Sequence, residues 1–223
     1  MKNFAIAKEI LNKFPLGNLY LVGGSVRDYL LTGDFHDFDF ATPLLPKDVI
    51  KILNIQEYDN FSLKFGTVKA KYLGVEIEIT TFREEGNYTD SRHPSSVDFI
   101  TDIKIDSNRR DFSINALYLD KDGNVIDYHN GRKDLKEGII RMIGDPYKRL
   151  KEDPVRILRA LRFSLEFSFK IDEELDQAIK KTKNELEKVS EYRLKSEIGK
   201  MLEHSSLKEI KDIFKRYEIN LDF

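Results

Sequence analysis

The 223-residue chain has no cysteine, 40% hydrophobic and 34% charged residues, and a formal net charge of −2. That composition allows a sizeable core and excludes disulfides, thiolate zinc sites, a cysteine nucleophile and a globally basic surface. No apolar run approaches the roughly 18 residues of a membrane helix, and the N-terminus MKNFAIAKEILNKF mixes both charges where a signal peptide would be apolar, so the expected setting is cytoplasmic. Residues 2–14 predict a helix, with Phe4, Ile6, Ile10, Leu11 and Phe14 as its apolar stripe, ended by Pro15 and Gly17. A buried strand at 19–22 leads into a helix at 25–31 that Gly33 closes. A strand follows at 38–41, and after Pro43 and Pro46 a helix near 47–54. Strands at 67–72 and 75–82 form a hairpin around Gly74. Residues 84–96 have no periodicity and read as a mobile loop. Strands follow at 97–100, 116–119 and 125–128, the last two joined by Lys121-Asp122-Gly123-Asn124. From Asp145 onward the pattern is helical, near 145–151, 154–166, 172–184, 190–203 and 205–217. The reading is a mixed α/β first part, 1–145, and an all-helical second part, 146–223.

Five constellations carry chemistry. Gly23-Gly24-Ser25 lies between a strand and a helix, where glycines permit a tight turn and close approach of a ligand. The helix N-terminus offers N–H groups to an anion, and Arg27 adds a fixed positive charge. Ser25 and Asp28 also have capping-box spacing, which needs no ligand. Asp37 and Asp39 are i, i+2, so on a strand both carboxylates point the same way, with Cα atoms roughly 6.5–7 Å apart. That placement suits a two-metal site or a solvated strand face. The four histidines, His36, His93, His129 and His204, form no ligand-spaced pair. A metal would therefore rest on carboxylates, which favours Mg²⁺ or Mn²⁺ over zinc.

Glu76 and Glu78 share the polar face of the 75–82 strand, and the pattern does not choose between them as a third carboxylate. Arg109-Arg110-Asp111 offers adjacent guanidinium groups to a triphosphate. In the stretch 152–163, EDPVRILRALRF, Pro154 fits a first helical turn with Asp153 as cap. Asp153, Arg156, Arg159 and Arg162 step i+3 across about half the circumference of the helix, and Ile157, Leu158, Leu161 and Leu165 fall on the other half. Asp153 and Arg156 are neighbours that can present acceptor and donors together. Each of these features, taken singly, is also explained by a surface ion pair or a solvated face.

Their order is more specific than any one of them. GGSVRDYLLTGDFHDFDFAT, EITTFR, RRDFSINAL and EDPVRILRALRF, in that sequence, resemble the class II template-independent tRNA nucleotidyltransferases, which are the bacterial CCA-adding enzymes and their relatives the bacterial poly(A) polymerases. The likeness runs over residues 15–205. The stretch 191–197, EYRLKSE, is similar to a further motif of that family. It has Tyr192 where the family has Glu before the Arg, while Arg193 and Glu197 keep their spacing.

The resemblance implies an α+β fold: a polymerase-palm-like mixed sheet with flanking helices, the catalytic head, followed by a helical neck. It implies that Asp37 and Asp39 hold the catalytic Mg²⁺ ions, with Mn²⁺ an alternative, and that Glu78 is the third acidic residue. Gly24, Ser25 and Arg27 then touch the triphosphate or sugar, and Arg110 reaches the nucleotide. Asp153 and Arg156 read the base edge, and Arg159 and Arg162 bind triphosphate or orient the reader. The reaction implied is transfer of CMP and AMP from CTP and ATP to an RNA 3′-hydroxyl, as CCA addition to tRNA. The loop at 84–96 implies competence for the terminal A. The nearest alternative is an A-adding enzyme or a poly(A) polymerase. The alternative of another class is an inactive nucleotide- or RNA-binding module or partner subunit. Family members continue into further helical domains that hold tRNA, so head and neck are the parts expected here.

Overall fold

The computed structural model describes residues 2–85 and 97–221. They divide into two compact units, one holding 2–85, 97–110 and 114–132, the other 111–113 and 133–221. Among the described residues no helix is long and apolar enough to cross a membrane.

In the first unit, α1 (Lys2–Leu11) buries Ala7, Ile10 and Leu11. It precedes β1 (Tyr20–Val22), α2 (Gly24–Thr32) and β2 (Phe38–Thr42). Next come α3 (Pro46–Leu53), the single turn α4 (Asn60–Leu63), β3 (Thr67–Tyr72) and β4 (Val75–Thr81). A short hairpin of β5 (Arg83–Glu85) and β6 (Val97–Phe99) follows, then α5 (Ile103–Asn108), β7 (Leu117–Leu119) and β8 (Val125–Asp127). The six-stranded sheet runs β3-β4-β2-β1-β7-β8. Within this sheet, among the described residues, only β2 and β4 pair in parallel.

Alternation on β2 sends Phe38 and Phe40 to the core and leaves Asp39 between them half-buried on the other face. Asp39 pairs in register with Glu78, and Glu78 with Lys69. Residues in register share a face, so the three form one polar row across β2, β4 and β3. Val22, Ala41, Phe82 and Tyr118 make a core cluster against which Tyr20, Ile100, Ile103 and Ile126 pack.

α6 (Gly131–Glu137) follows β8. The second unit continues with β9 (Ile139–Ile140), α7 (Pro146–Glu152), α8 (Val155–Phe167), β10 (Lys170–Ile171), α9 (Glu173–Thr182), α10 (Glu191–Leu202) and α11 (Leu207–Tyr217). β9 and β10 form a two-residue parallel pair. The apolar stripe of α8 is buried as its spacing predicts, through Val155, Ile157, Leu158, Ala160, Leu161 and Phe163. Ser206 and Glu209 close a full capping box on α11.

Several elements differ from the sequence reading, which contains no counterpart of α4, α5, α6, β9 or β10. α5 and α6 are short helices without apolar period. Asp102 caps α5 by accepting the Lys104 N–H, and Asp127 accepts the N–H groups of His129, Gly131 and Arg132. The expected loop at 84–96 is already paired at Glu84 and Glu85, which bond to Asp98 and Val97. Its remainder, 86–96, lies outside the described residues.

Candidate active site

The turn between β1 and α2 is built around two glycines. Gly23 has φ +65°, and a Cβ there would come within 3.3 Å of Arg110 Nη1. A Cβ on Gly24 would come within 3.5 Å of Arg27 Nη2. Two guanidinium groups therefore lie against a bare backbone: at Gly23 a side chain would crowd Arg110 and strain the positive φ, whereas at Gly24 a Cβ would make only ordinary contact with Arg27. The N-cap of α2 is Gly23, with no side-chain cap bond. Ser25 does not use its capping-box spacing. It is 1% exposed, its hydroxyl donates to the Asp37 carbonyl at 2.7 Å, and it accepts the Asp39 N–H at 3.2 Å. One hydroxyl thus fixes the backbone on both sides of Phe38 and sets the spacing of the two aspartates. Ser25→Ala is expected to lower kcat for nucleotide transfer roughly ten- to a hundredfold with little change in KM, because misplacing reacting groups by about 1 Å costs that much; steady-state kinetics at saturating metal check it.

Asp37 is exposed just before β2, and Asp39 is half-buried. Lys69 Nζ lies 2.6 Å from Glu78. Burial, then the charges of Glu78 and Asp37, push the Asp39 carboxyl up to about 6, against the pull of Arg110 and Lys69. The influence of Glu78 on Asp39 follows from the β2–β4 register, which sets Glu78 and not Glu76 beside it. A cavity of about 860 Å³ opens along this row, lined by His36, Asp37, Asp39, Lys69, Lys71 and Glu78 among others. Among the described residues no three His, Asp or Glu side chains converge as a ready metal cage. Two crowded carboxylates with open space beside them nonetheless fit Mg²⁺ or Mn²⁺, which take one or two protein oxygens and complete their shell with water and phosphate.

Arg27 is 7% exposed. It donates through Nε and Nη2 to the Asp28 carboxylate at 2.8 and 3.1 Å, and through Nη1 to Asn115 Oδ1 at 2.7 Å. Arg110 donates through Nε to the Tyr118 hydroxyl at 2.9 Å. Tyr118 in turn donates to Asp106 Oδ2 at 2.6 Å. Asp106 is wholly buried and also accepts from Arg109 Nε at 2.8 Å and from the Arg83 backbone N–H at 3.1 Å. Burial opposes its charge, but Arg109 and Arg110 outweigh that and hold its carboxyl below the usual range. Asn115, Tyr118 and Asp106 therefore orient the two arginines. Asn115 and Tyr118 act through contacts that no spacing rule marks, whereas Asp106 stands i, i+3 and i, i+4 from Arg109 and Arg110, a signal that shows only once α5 is known to be a helix.

In the second unit the arginines of α8 do not form a solvated face. Arg156 is 6% exposed and donates to the Arg149 carbonyl at 2.9 Å, with Glu152 3.5 Å away. Arg159 pairs with Asp111 at 2.6 Å and lies 3.8 Å from Glu197. Arg162 pairs with Glu166 at 3.0 Å and Glu197 at 3.1 Å, over the Phe163 ring. Asp153, expected as the cap of α8, instead is the C-cap of α7 while Pro154 takes the N-cap of α8; its carboxylate accepts the Val155 N–H and Arg193 Nη2 at 3.0 and 3.1 Å. A cavity of about 350 Å³ is lined by Asp153, Val155, Arg159, Tyr192, Arg193, Ser196 and Glu197. Asp153 and Arg159 both line this cavity; Arg156, whose backbone N–H bonds the Asp153 carbonyl at 3.1 Å, and Arg162, which pairs with Glu197, adjoin these residues without lining it. Arg193 and Glu197, spaced i, i+4 on α10, brace both ends of the arginine series.

Comparison with known proteins adds the following. The family described as "Poly A polymerase head domain" matches residues 19–141, and "Probable RNA and SrmB- binding site of polymerase A" matches 168–213. A CCA-adding enzyme of Lactobacillus helveticus (strain DPC 4571) is 45% identical over 182 residues, which are 82% of this chain and 45% of that protein. The crystal structure of Bacillus stearothermophilus CCA-adding enzyme in complex with CTP superposes with TM-score 0.80 and 35% identity, covering 89% of this chain and 48% of the other. The Thermotoga maritima CCA-adding enzyme complexed with tRNA gives TM-score 0.77 and 27% identity over 98% of this chain and 51% of the other. The chain spans about half the length of the relatives it matches. The α+β nucleotidyltransferase fold expected from the motifs is the fold found.

Proposed function

The chain belongs to the poly(A) polymerase head-domain family, and from that premise we propose that it transfers CMP and AMP from CTP and ATP to an RNA 3′ end, completing CCA on tRNA. The observation that carries the reading is the Ser25-fixed pair Asp37 and Asp39, within reach of Arg110 and with a cavity alongside. The similar CCA-adding enzymes and the CTP- and tRNA-bound structures among the neighbours support the substrate choice.

In this reading the RNA 3′-oxygen attacks the α-phosphorus, the bond to the bridging oxygen breaks, and pyrophosphate leaves. Asp37 and Asp39 would hold divalent cations, which when bound would supply the positive charge that acidifies the hydroxyl and steadies the leaving group. Glu78 completes the acidic row and Lys69 balances it. Gly24 gives the triphosphate access to backbone, while Arg27 and Arg110, prefixed by Asn115 and Tyr118, meet its oxygens without reorganising. Ser25 acts through the strand it holds.

The second unit selects the nucleotide. Cytosine and adenine both show an exocyclic amine beside a ring-nitrogen acceptor, which a carboxylate and a guanidinium complement. Guanine and uracil show the reverse and leave buried partners unpaired. Asp153 and Arg156 fill those roles, Arg156 by exchanging the Arg149 carbonyl for the ring nitrogen. Arg159 and Arg162, paired with Asp111, Glu166 and Glu197, orient the reader. Such work belongs with tRNA maturation in the cytoplasm.

The test is extension of a tRNA trimmed of its last three nucleotides. CTP alone should add two residues, and ATP should be used only after them. Use of ATP with no CTP requirement would instead establish an A-adding or poly(A) activity. No transfer with either, despite nucleotide binding, would establish the inactive binding module.

A further inference from the structure

Tyr192 is 80% exposed, the most exposed large hydrophobic side chain among the described residues. It occupies the first turn of α10, where its neighbours are engaged: Glu191 pairs with Lys195, Arg193 with Asp153, and Glu197 with Arg162 and Lys200. Among the described residues Tyr192 has no hydrogen bond, ion pair or ring contact. It therefore contributes nothing visible to the fold, and a charged residue would serve a solvent-facing first turn better. An isolated exposed aromatic needs no explanation, but this one lines the cavity of about 350 Å³ together with Asp153, Arg159 and Arg193.

That combination, an aromatic face beside carboxylate and guanidinium groups, matches what a nucleobase needs. The face stacks on the ring while the charged groups meet its edge. We propose that Tyr192 stacks on a nucleobase seated in the Asp153–Arg159–Arg193 cavity. The inference rests on the nucleotidyltransferase reading for which bases are present, either that of the incoming triphosphate or that of the RNA 3′ end. It rests on the cavity alone for the contact itself.

The experiment is direct binding, by calorimetry, of ATP, CTP, inorganic tripolyphosphate and a short RNA ending in CC to the full chain, to Tyr192→Ala and to Tyr192→Phe. Removing a base–aromatic stack should weaken binding about tenfold. The loss should be larger for ATP than for CTP because adenine offers more ring surface, and Tyr192→Phe should restore it. Tripolyphosphate binding should not change. A loss confined to the RNA assigns the stacked base to the 3′ end, and one confined to the triphosphates assigns it to the incoming nucleotide. Unchanged affinities for all base-containing ligands in Tyr192→Ala overturn the proposal, as does a loss that Phe fails to restore. The outcomes separate from those of the proposed function: Tyr192-dependent binding without transfer keeps the stack and removes the enzyme, whereas full CCA addition with unaltered Tyr192→Ala binding does the reverse.

Discussion

Asp39→Asn is expected to abolish nucleotide addition, by at least about 10³-fold in rate, and at the same time to stabilise the metal-free protein at pH 7. The first effect follows from the role proposed for Asp39: with Asp37 it would supply the oxygen donors to a divalent cation, and losing one would forfeit several kcal/mol of transition-state charge stabilisation. The second follows from the environment of the carboxylate. Burial and the neighbours Glu78 and Asp37 push Asp39 up to about 6 from 3.8. A raised value means that the native state binds more protons than the unfolded chain between those two pH values. Stability from this group is therefore complete below about 4, falls as pH rises to about 6, and stays low above. Each pK unit is about 1.4 kcal/mol, so the penalty at pH 7 is at most about 3 kcal/mol. Asn keeps the shape and removes the charge. Thermal melts in EDTA should show the variant melting higher than wild type at pH 7 and level with it near pH 4. A variant that loses activity and also melts lower at pH 7 would mean that Asp39 is held by contacts that charge crowding does not describe.

Asp106→Ala is expected to cost about 3–5 kcal/mol, the range for removing one member of a buried charged network. Asp106 is 0% exposed and anchors Arg109, Tyr118 and the Arg83 backbone. Its loss removes a fully buried acceptor from Arg109, Arg110, the Tyr118 hydroxyl and the Arg83 N–H at once. For a domain of this size the melting temperature should fall by roughly 10 °C. Tyr118→Phe, which removes one hydroxyl from the same chain, should cost only about 1 kcal/mol. It should still raise KM for the triphosphate, because Arg110 loses its Nε acceptor. The pH sign is opposite to that of Asp39. A carboxyl held below the usual range contributes stability above about 4 that disappears as pH falls through its folded value. The acid limb of the wild-type stability curve should accordingly flatten in Asp106→Ala.

How far the sequence was legible depends on how local each signal is. Asp37 and Asp39 are two residues apart and the α8 series three apart, distances over which backbone geometry alone decides direction. The alternating strands and amphipathic helices were legible for the same reason. Choosing Glu78 over Glu76 required the parallel register of β2 with β4, which joins residues far apart in the chain and leaves no periodic trace. Ser25 shows how a correct spacing can mislead. The positive φ of Gly23 makes the glycine the cap and frees the Ser25 hydroxyl for the strand. Arg156 lies on the polar side of α8 by helical angle, yet it is buried because the Arg149 carbonyl at the preceding helix offers an acceptor. Asn115 meets Arg27 across 88 positions and was invisible for that reason. α5 and α6 depend on single capping aspartates with no apolar stripe to announce them.

Whether this chain builds C-C-A or a run of A is read most directly by sequencing the 3′ ends it makes on a trimmed tRNA with all four triphosphates and Mg²⁺ present. The expected ends are CCA, with G and U absent and extension stopping after the A. Heterogeneous A tails, or ends carrying all four bases, would contradict nucleotide selection by Asp153 and Arg156. Unextended ends would contradict the transfer reaction itself.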